Sequence, residues 1–215
     1  MKSQAMPRGV FVTGTDTEVG KTVASACLVH ALDGDYWKPV QTGAVADSDS
    51  GEVARLTGLG QERFHAPAFT FKAPLSPHAA ALKEGGAMVL DDFRLPSTSR
   101  PLVVEGAGGL LVPLNGNDFM IDLMERLDLP VVVVARSGLG TINHTLLTLR
   151  ALEVRKMRVL GVIMVGVPNP SNEDAIRHFG RIQRIARIPP VEGLGPANLP
   201  RLPGAFTATL MAVPS

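Results

Sequence analysis

At about 150 residues per domain, a chain of 215 residues makes one domain, and its 45% apolar and 19% charged content excludes a disordered or supercharged protein. Twenty-one basic against twenty acidic residues leave a net charge of +1, too small to drive attachment to nucleic acid or to an anionic membrane surface. One cysteine, Cys27, excludes an internal disulfide and a cysteine-built metal cage and favours a reducing compartment, so a cytoplasmic protein is expected.

From Met1 to Gly9, Lys2 and Arg8 accompany no apolar run of signal-peptide length, so export is not expected. The β-branched run Val10 to Thr13 predicts a strand, Lys21 to Leu32 a helix, and Tyr36 to Val40 a second strand. Val45 to Ser99, with Pro67, Pro74, Pro77 and Pro96 among short apolar pieces, reads as irregular surface excursions of the same domain. A strand at Leu102 to Glu105 and a helix at Asp118 to Leu127 follow. The run Val131 to Ala135 falls far short of a membrane span. It is apolar at every position, as a central strand covered on both faces should be. Thr141 to Arg155 predicts a helix whose stripe Ile142, Leu146, Leu149 and Leu152 belongs in the core. Val159 to Val165 predicts a last strand, and Asn172 to Ile185 a helix with Arg177, Arg181 and Arg184 on one solvated basic face. Strands alternating with helices mean an α/β fold with a mostly parallel sheet, helices on both faces, and residues 1–215 as a single domain.

Gly9 to Thr22 sets a strand, a loop and a helix start in the order a phosphate site needs. Amides at a helix N-terminus lack internal partners and can point at anionic oxygens, and the helix dipole adds a favourable field. Gly20 admits close backbone approach, Lys21 supplies a cation for β/γ-phosphates, and Thr22 offers a hydroxyl to Mg2+. The usual loop has its first glycine where Thr15 stands, one place after Gly14. Mg2+ demands further oxygens. Glu105 ends a buried strand and is followed by Gly106-Ala107-Gly108-Gly109, a loop at the carboxyl edge of the sheet where such folds bind ligands. Asp47 and Asp49 could each be a metal ligand or a helix N-cap, and spacing alone does not separate them.

Five segments together resemble the dethiobiotin synthetase family: Gly14 to Thr22, Lys38-Pro39-Val40-Gln41-Thr42-Gly43, Ser76-Pro77-His78, Val104 to Gly109, and Gly138 to His144. The likeness covers most of the chain to about residue 165 and then fades, and the shifted glycine is the family's own variant of the loop. It implies a P-loop NTPase fold and a cytoplasmic enzyme. ATP and CO2 would close a cyclic urea on diaminopelargonic acid, through a carbamate and a carbamic-phosphoric anhydride. It further implies catalysis by Lys21, Lys38 and Thr17, nucleotide contacts from Thr17, Glu18, Val19, Gly20, Lys21, Thr22 and Val23, and Mg2+ held by Thr22, Asp49 and Glu105. Asp49 is preferred to Asp47 because Ser48-Asp49, with Arg55 further on, fits the family register. Gly106, Ala107 and Gly108 would line the phosphates, and Val165, Pro196 and Asn198 the base. Substrate would meet Lys38, Thr42 and Gly108, and a partner's Leu139, Gly140, Thr141 and Asn143 would reach in across a homodimer interface. His78 would play a hydrogen-bonded supporting role.

One departure stands out. The family ends the strand matching Val159 to Val165 in Asn-Asp, where this chain has Val165-Gly166, and Asn198, in the late loop Gly193 to Asn198 where the family closes over the base, is the candidate to replace the lost amide. Two other classes share parts of this pattern. A partitioning-type ATPase switch carries an extra lysine early in the loop, where Gly14-Thr15-Asp16 has none, and needs a partner or membrane surface that Arg201 to Ser215 does not offer as a basic amphipathic helix. An amide-forming ATPase of cofactor synthesis needs a nucleophilic cysteine, and Cys27 sits in apolar surroundings.

Overall fold

The computed structural model describes residues 8–43 and 48–202. Asp47 and most of the two terminal stretches considered above therefore lie outside the described residues.

The strands are β1 (Gly9–Gly14), β2 (Asp35–Trp37), β3 (Val40–Thr42), β4 (Phe64–His65), β5 (Phe69–Phe71), β6 (Leu102–Glu105), β7 (Val131–Arg136), β8 (Val159–Val165) and β9 (Ile185–Ile188). The helices are α1 (Lys21–Leu32), α2 (Asp49–Thr57), α3 (Pro77–Lys83), α4 (Met120–Leu127), α5 (Thr141–Val154) and α6 (Pro170–Phe179). Seven strands form a parallel sheet in the order β4-β2-β6-β1-β7-β8-β9, and β3 pairs with β5 in a small parallel sheet.

Alternation along the central strands builds two cores. Val10, Val12, Val132 and Val134 face a cluster with α1 and α2, while Phe11, Val131, Val133 and Ala135 face one with α3, α4, α5 and α6. β7 is thus covered on both sides, as its uninterrupted valines require.

Three expectations need correction. The stretch Val45 to Ser99 is more than a surface excursion: it holds α2, α3, β4 and β5 and sends Val53, Leu56, Phe71, Met88 and Phe93 into the cores. The expected strand Tyr36 to Val40 is two strands in two sheets, because Pro39 has no N–H to donate to a ladder. The expected helix Asn172 to Ile185 stops at Phe179, past which Gly180 and a left-handed Arg181 (φ 51°) turn the chain into β9. Arg181 and Arg184 therefore do not share a helical face with Arg177. On α5, Leu149 and Leu152 are buried, Ile142 and Leu146 are half-buried, and Thr141, Thr145 and Thr148 complete the inner face.

Candidate active site

β1 runs into the loop that opens α1. Within it Glu18 (φ 56°) and Gly20 (φ 94°) take left-handed backbone. A Cβ on Gly20 would stand 2.9 Å from Val165 Cγ1, so conformation and space both require glycine. The loop's own groups set its shape. Lys21 Nζ donates to the Asp16 carbonyl oxygen at 3.0 Å, Asp16 Oδ1 accepts the Thr17 N–H at 2.7 Å, and Asp16 Oδ2 pairs with Arg136 at 2.6 Å.

Three elements deliver oxygens to the start of α1. Thr22 Oγ1 lies 2.8 Å from Asp49 Oδ1 and 3.2 Å from Glu105 Oε1, donating toward both carboxylates. Asp49 opens α2, whose N-cap Ser48 accepts the Gly51 N–H at 3.1 Å. Glu105 ends β6 and is 1% exposed. Lys38 sits at the break between β2 and β3, where its buried Nζ pairs with Asp49 Oδ2 and, at 3.3 Å, with Glu105 Oε1. Tyr36, two residues earlier and thus on the same side of the chain, donates its hydroxyl to Glu105 Oε2 at 3.0 Å.

The charges interact strongly in this buried setting. Burial alone would lower the Lys38 pKa, but Glu105 and Asp49 outweigh it and hold the ammonium above its usual range. Burial would raise the Asp49 pKa, and Lys38 outweighs it to hold the carboxyl low. Lys21 is lowered by burial, with Lys38 adding to that against the pull of Glu105 and Asp49. Burial, reinforced by Glu105 and Asp49, pushes the Tyr36 phenol well up, so it stays a neutral donor.

A cavity of about 420 Å³ is lined by Thr17, Glu18, Gly20, Lys21, Thr22, Val23, Lys38, Thr42, Asp49, Glu105, Ala107 and Gly108, all singled out from the sequence. Val19 is buried in the apolar core beneath the loop, and Gly106 packs on Phe11. Thr17 also borders a second cavity of about 440 Å³, walled by Leu110, Leu111, Val112, His144 and Leu147 among others. Leu139, Gly140, Thr141 and Asn143 line neither cavity. Gly140 caps α5, Leu139 and Asn143 are exposed, Thr141 is buried, and Asn172 Nδ2 braces this turn by donating to the Ser137 carbonyl at 2.9 Å. His78 donates its main-chain N–H to the Pro113 carbonyl at 3.2 Å.

The late loop packs on the far end of α2. Pro196 lies against Gly58, and Arg55 Nη1 donates to the Leu194 carbonyl at 3.2 Å. Asn198 spends its amide within that loop, Oδ1 accepting the Gly195 N–H at 2.8 Å and Nδ2 donating to the Gly193 carbonyl at 3.2 Å. These bonds fix the side chain within its loop and leave one further N–H and one further acceptor position on its amide. Sequence reasoning missed Tyr36 and Arg136. The signal for Tyr36 was its i, i+2 spacing from Lys38; Arg136 meets Asp16 only through the β1–β7 pairing.

Among the described residues no cluster of three or more His, Cys, Asp or Glu could hold a metal ion. Thr22, Asp49 and Glu105 bring three hard oxygens together, a set that fits Mg2+ when phosphate and water oxygens complete an octahedron.

The family described as an AAA domain matches residues 8–198. The chain is 58% identical over 187 residues to a biotin biosynthesis bifunctional protein of Bordetella avium, covering 86% of this chain and 40% of that longer protein's length. It is 54% identical over 196 residues to an ATP-dependent dethiobiotin synthetase of Paramagnetospirillum magneticum, covering 91% of this chain and 95% of that one. A synthetase of the same name from Brucella ovis is 46% identical over 190 residues, 88% of this chain and 90% of that one. Among solved structures, a ParA family ATPase from Chlorobium tepidum TLS superposes with TM-score 0.55 at 12% identity, over 95% of this chain and 93% of its own, a likeness of fold alone. With full-length relatives at this identity, the chain belongs to the ATP-dependent dethiobiotin synthetase family.

Proposed function

We infer that this chain makes dethiobiotin from diaminopelargonic acid, CO2 and ATP, releasing ADP and phosphate, and so serves biotin biosynthesis. The observation that carries the reading is the convergence of Lys21, Lys38, Thr22, Asp49 and Glu105 on one cavity beside a phosphate-type loop. One substrate amine adds to CO2 as a carbamate. A carbamate oxygen attacks the γ-phosphorus and ADP leaves. The second amine then attacks the carbonyl carbon, and the ring closes with loss of phosphate and a proton.

Such phosphoryl transfer asks for positioning and charge neutralisation. Lys21 turns from the Asp16 carbonyl to the β/γ-phosphate oxygens, and Thr17 donates beside the transferred group. Lys38 neutralises the attacking oxygen while Thr42 orients the carbamate. Glu18, Val19, Gly20 and Val23 wrap the phosphates, with Gly106, Ala107 and Gly108 opposite. Mg2+, held by Thr22, Asp49 and Glu105, would supply charge neutralisation on the β- and γ-phosphates. The base lies near Val165, Pro196 and Asn198.

The same reading makes the protein a homodimer. The exposed Leu111 and Leu147 at the second cavity, and the exposed Leu139 at the start of α5, support an apolar contact, and the first-turn amides of α5 suit a substrate carboxylate in the partner's site. Residues 1–215 act as one synthetase unit. The buried, reduced Cys27 fits the cytoplasm, and among the described residues no helix is long and apolar enough to cross a membrane. Burial pushes the Cys27 thiol up to about 12, which opposes an ammonia-channelling amide synthetase with this cysteine as nucleophile.

The test is product analysis after mixing the protein with diaminopelargonic acid, bicarbonate, Mg2+ and ATP. Dethiobiotin and equimolar ADP are expected. ATP hydrolysis with no cyclic urea would overturn the reading.

A further inference from the structure

The oxygens that would hold Mg2+ already have a cation among them. Lys38 Nζ contacts Asp49 Oδ2 and Glu105 Oε1, and Thr22 donates to Asp49 Oδ1 and to that same Glu105 Oε1. Tyr36 holds Glu105 Oε2, which leaves Oε1 as the oxygen that Glu105 turns toward Thr22, Lys38 and any ion. The lysine is 5% exposed, so the contact is not a surface pairing that solvent screens. A divalent ion bound to Asp49 and Glu105 would sit within a few ångströms of this ammonium, where two cations in a partly desolvated site repel strongly.

We propose that Lys38 is the built-in counter-cation of the metal site: its ammonium and the divalent ion compete for Asp49 and Glu105, and ion loading releases Lys38 toward Thr42. The inference rests on the Mg2+ assignment made above. A four-carbon stem gives the lysine the reach to change partners, and Lys38 and Thr42 border one cavity, which is the space the ammonium would move through. The same side chain thereby does two tasks in turn. It offsets the charge of buried Glu105 and half-buried Asp49, then neutralises the attacking oxygen once the metal–nucleotide has taken those carboxylates. Productive binding of the carbamate follows nucleotide loading for that reason.

The competition is read without turnover, by Mn2+ binding to the full chain in the absence of nucleotide, using calorimetry or the electron paramagnetic resonance of free Mn2+. Lys38→Met should bind Mn2+ at least tenfold more tightly than the wild type, and its melting temperature should rise further on Mn2+ addition. Lys38→Gln, which keeps a polar group for Asp49, should shift the same way and covers the case in which the methionine variant does not fold. Asp49→Asn should weaken Mn2+ binding. Unchanged Mn2+ affinity in Asp49→Asn would overturn the metal assignment itself. Weaker binding in Asp49→Asn together with equal or weaker binding in both Lys38 variants would leave that assignment standing and overturn the competition.

Discussion

The Tyr36 hydroxyl decides how Glu105 presents its carboxylate. It is the donor to Glu105 Oε2 in a buried setting, so Tyr36→Phe leaves an acceptor without its partner at a cost of about 1–3 kcal/mol. The expected outcome is a lower melting temperature and a raised Mg2+ requirement for dethiobiotin formation. Unchanged values on both counts would mean that Oε2 is held by something else. At the other end of the nucleotide site, Val165 packs an apolar side chain on Gly20 and Asn198 caps its own loop. Val165 offers no side-chain amide to the base, and losing such a pair removes about 1–3 kcal/mol of discrimination. GTP, CTP and UTP should therefore support activity within roughly tenfold of ATP; strict ATP preference in a comparison of kcat/KM would show that another group, Asn198 first, reads the base. Lys21, Thr22 and Thr17 were legible because a phosphate loop is local in sequence. Glu105 was legible because a strand-end carboxylate before a glycine loop marks the sheet's carboxyl edge. Asp49 was not separable from Asp47 by spacing, since which aspartate meets Thr22 depends on how α2 packs on α1.

Asp35 ties three segments together at the amino edge of the sheet. It accepts from Arg63 Nε at 2.8 Å and Thr98 Oγ1 at 2.5 Å, with His65 Nε2 at 3.3 Å, joining β2, β4 and the loop that leads to β6. Burial pulls its pKa up, but the bonds to Thr98, Arg63 and His65 outweigh it and hold the carboxyl below its ordinary 3.8. A depressed folded-state value stabilises the fold above pH 3.8 and is lost as pH falls through the lower folded value. The melting temperature should accordingly drop in that acid range, and Asp35→Asn should flatten the drop while lowering stability at neutral pH. An identical acid limb in the variant would assign the drop to other carboxylates. At this scale the central β1, β6, β7 and β8 were readable from β-branched runs, whereas α2 and α3 were not. α2 is short and opens on Asp-Ser-Gly-Glu, and α3 has seven residues, so neither shows enough turns for a helical period to stand out. The edge strand β9 was hidden because Ile182 and Ile185 continue an apparent helical spacing past the Gly180 break.

For the assembled molecule, shared sites make a sharp expectation. If the turn at Leu139 to Asn143 serves the partner's cavity, a heterodimer of Lys21→Ala and Asn143→Ala subunits has one site with both lesions and one with neither. Activity should reappear when the two weak variants are co-expressed and the doubly tagged dimer is purified. A heterodimer no better than the mean of its parents would place Asn143 within its own chain's site. The sheet order carries a different consequence, for the chain as it is being made. β1 and its phosphate loop leave the ribosome before the strands they pair with: β6, where Gly9 meets Leu102, and β7, where Phe11 meets Val131. At translation speeds of about 5–20 residues per second, the first strand waits on the order of ten seconds for its second neighbour. Until β6 has emerged Val10, Phe11 and Val12 have no neighbouring strand, and from then until β7 emerges β1 is the open edge of the sheet β4-β2-β6-β1. The strand that sets up the nucleotide loop is therefore open on one side until residue 136 has emerged, and the loop takes its final support last.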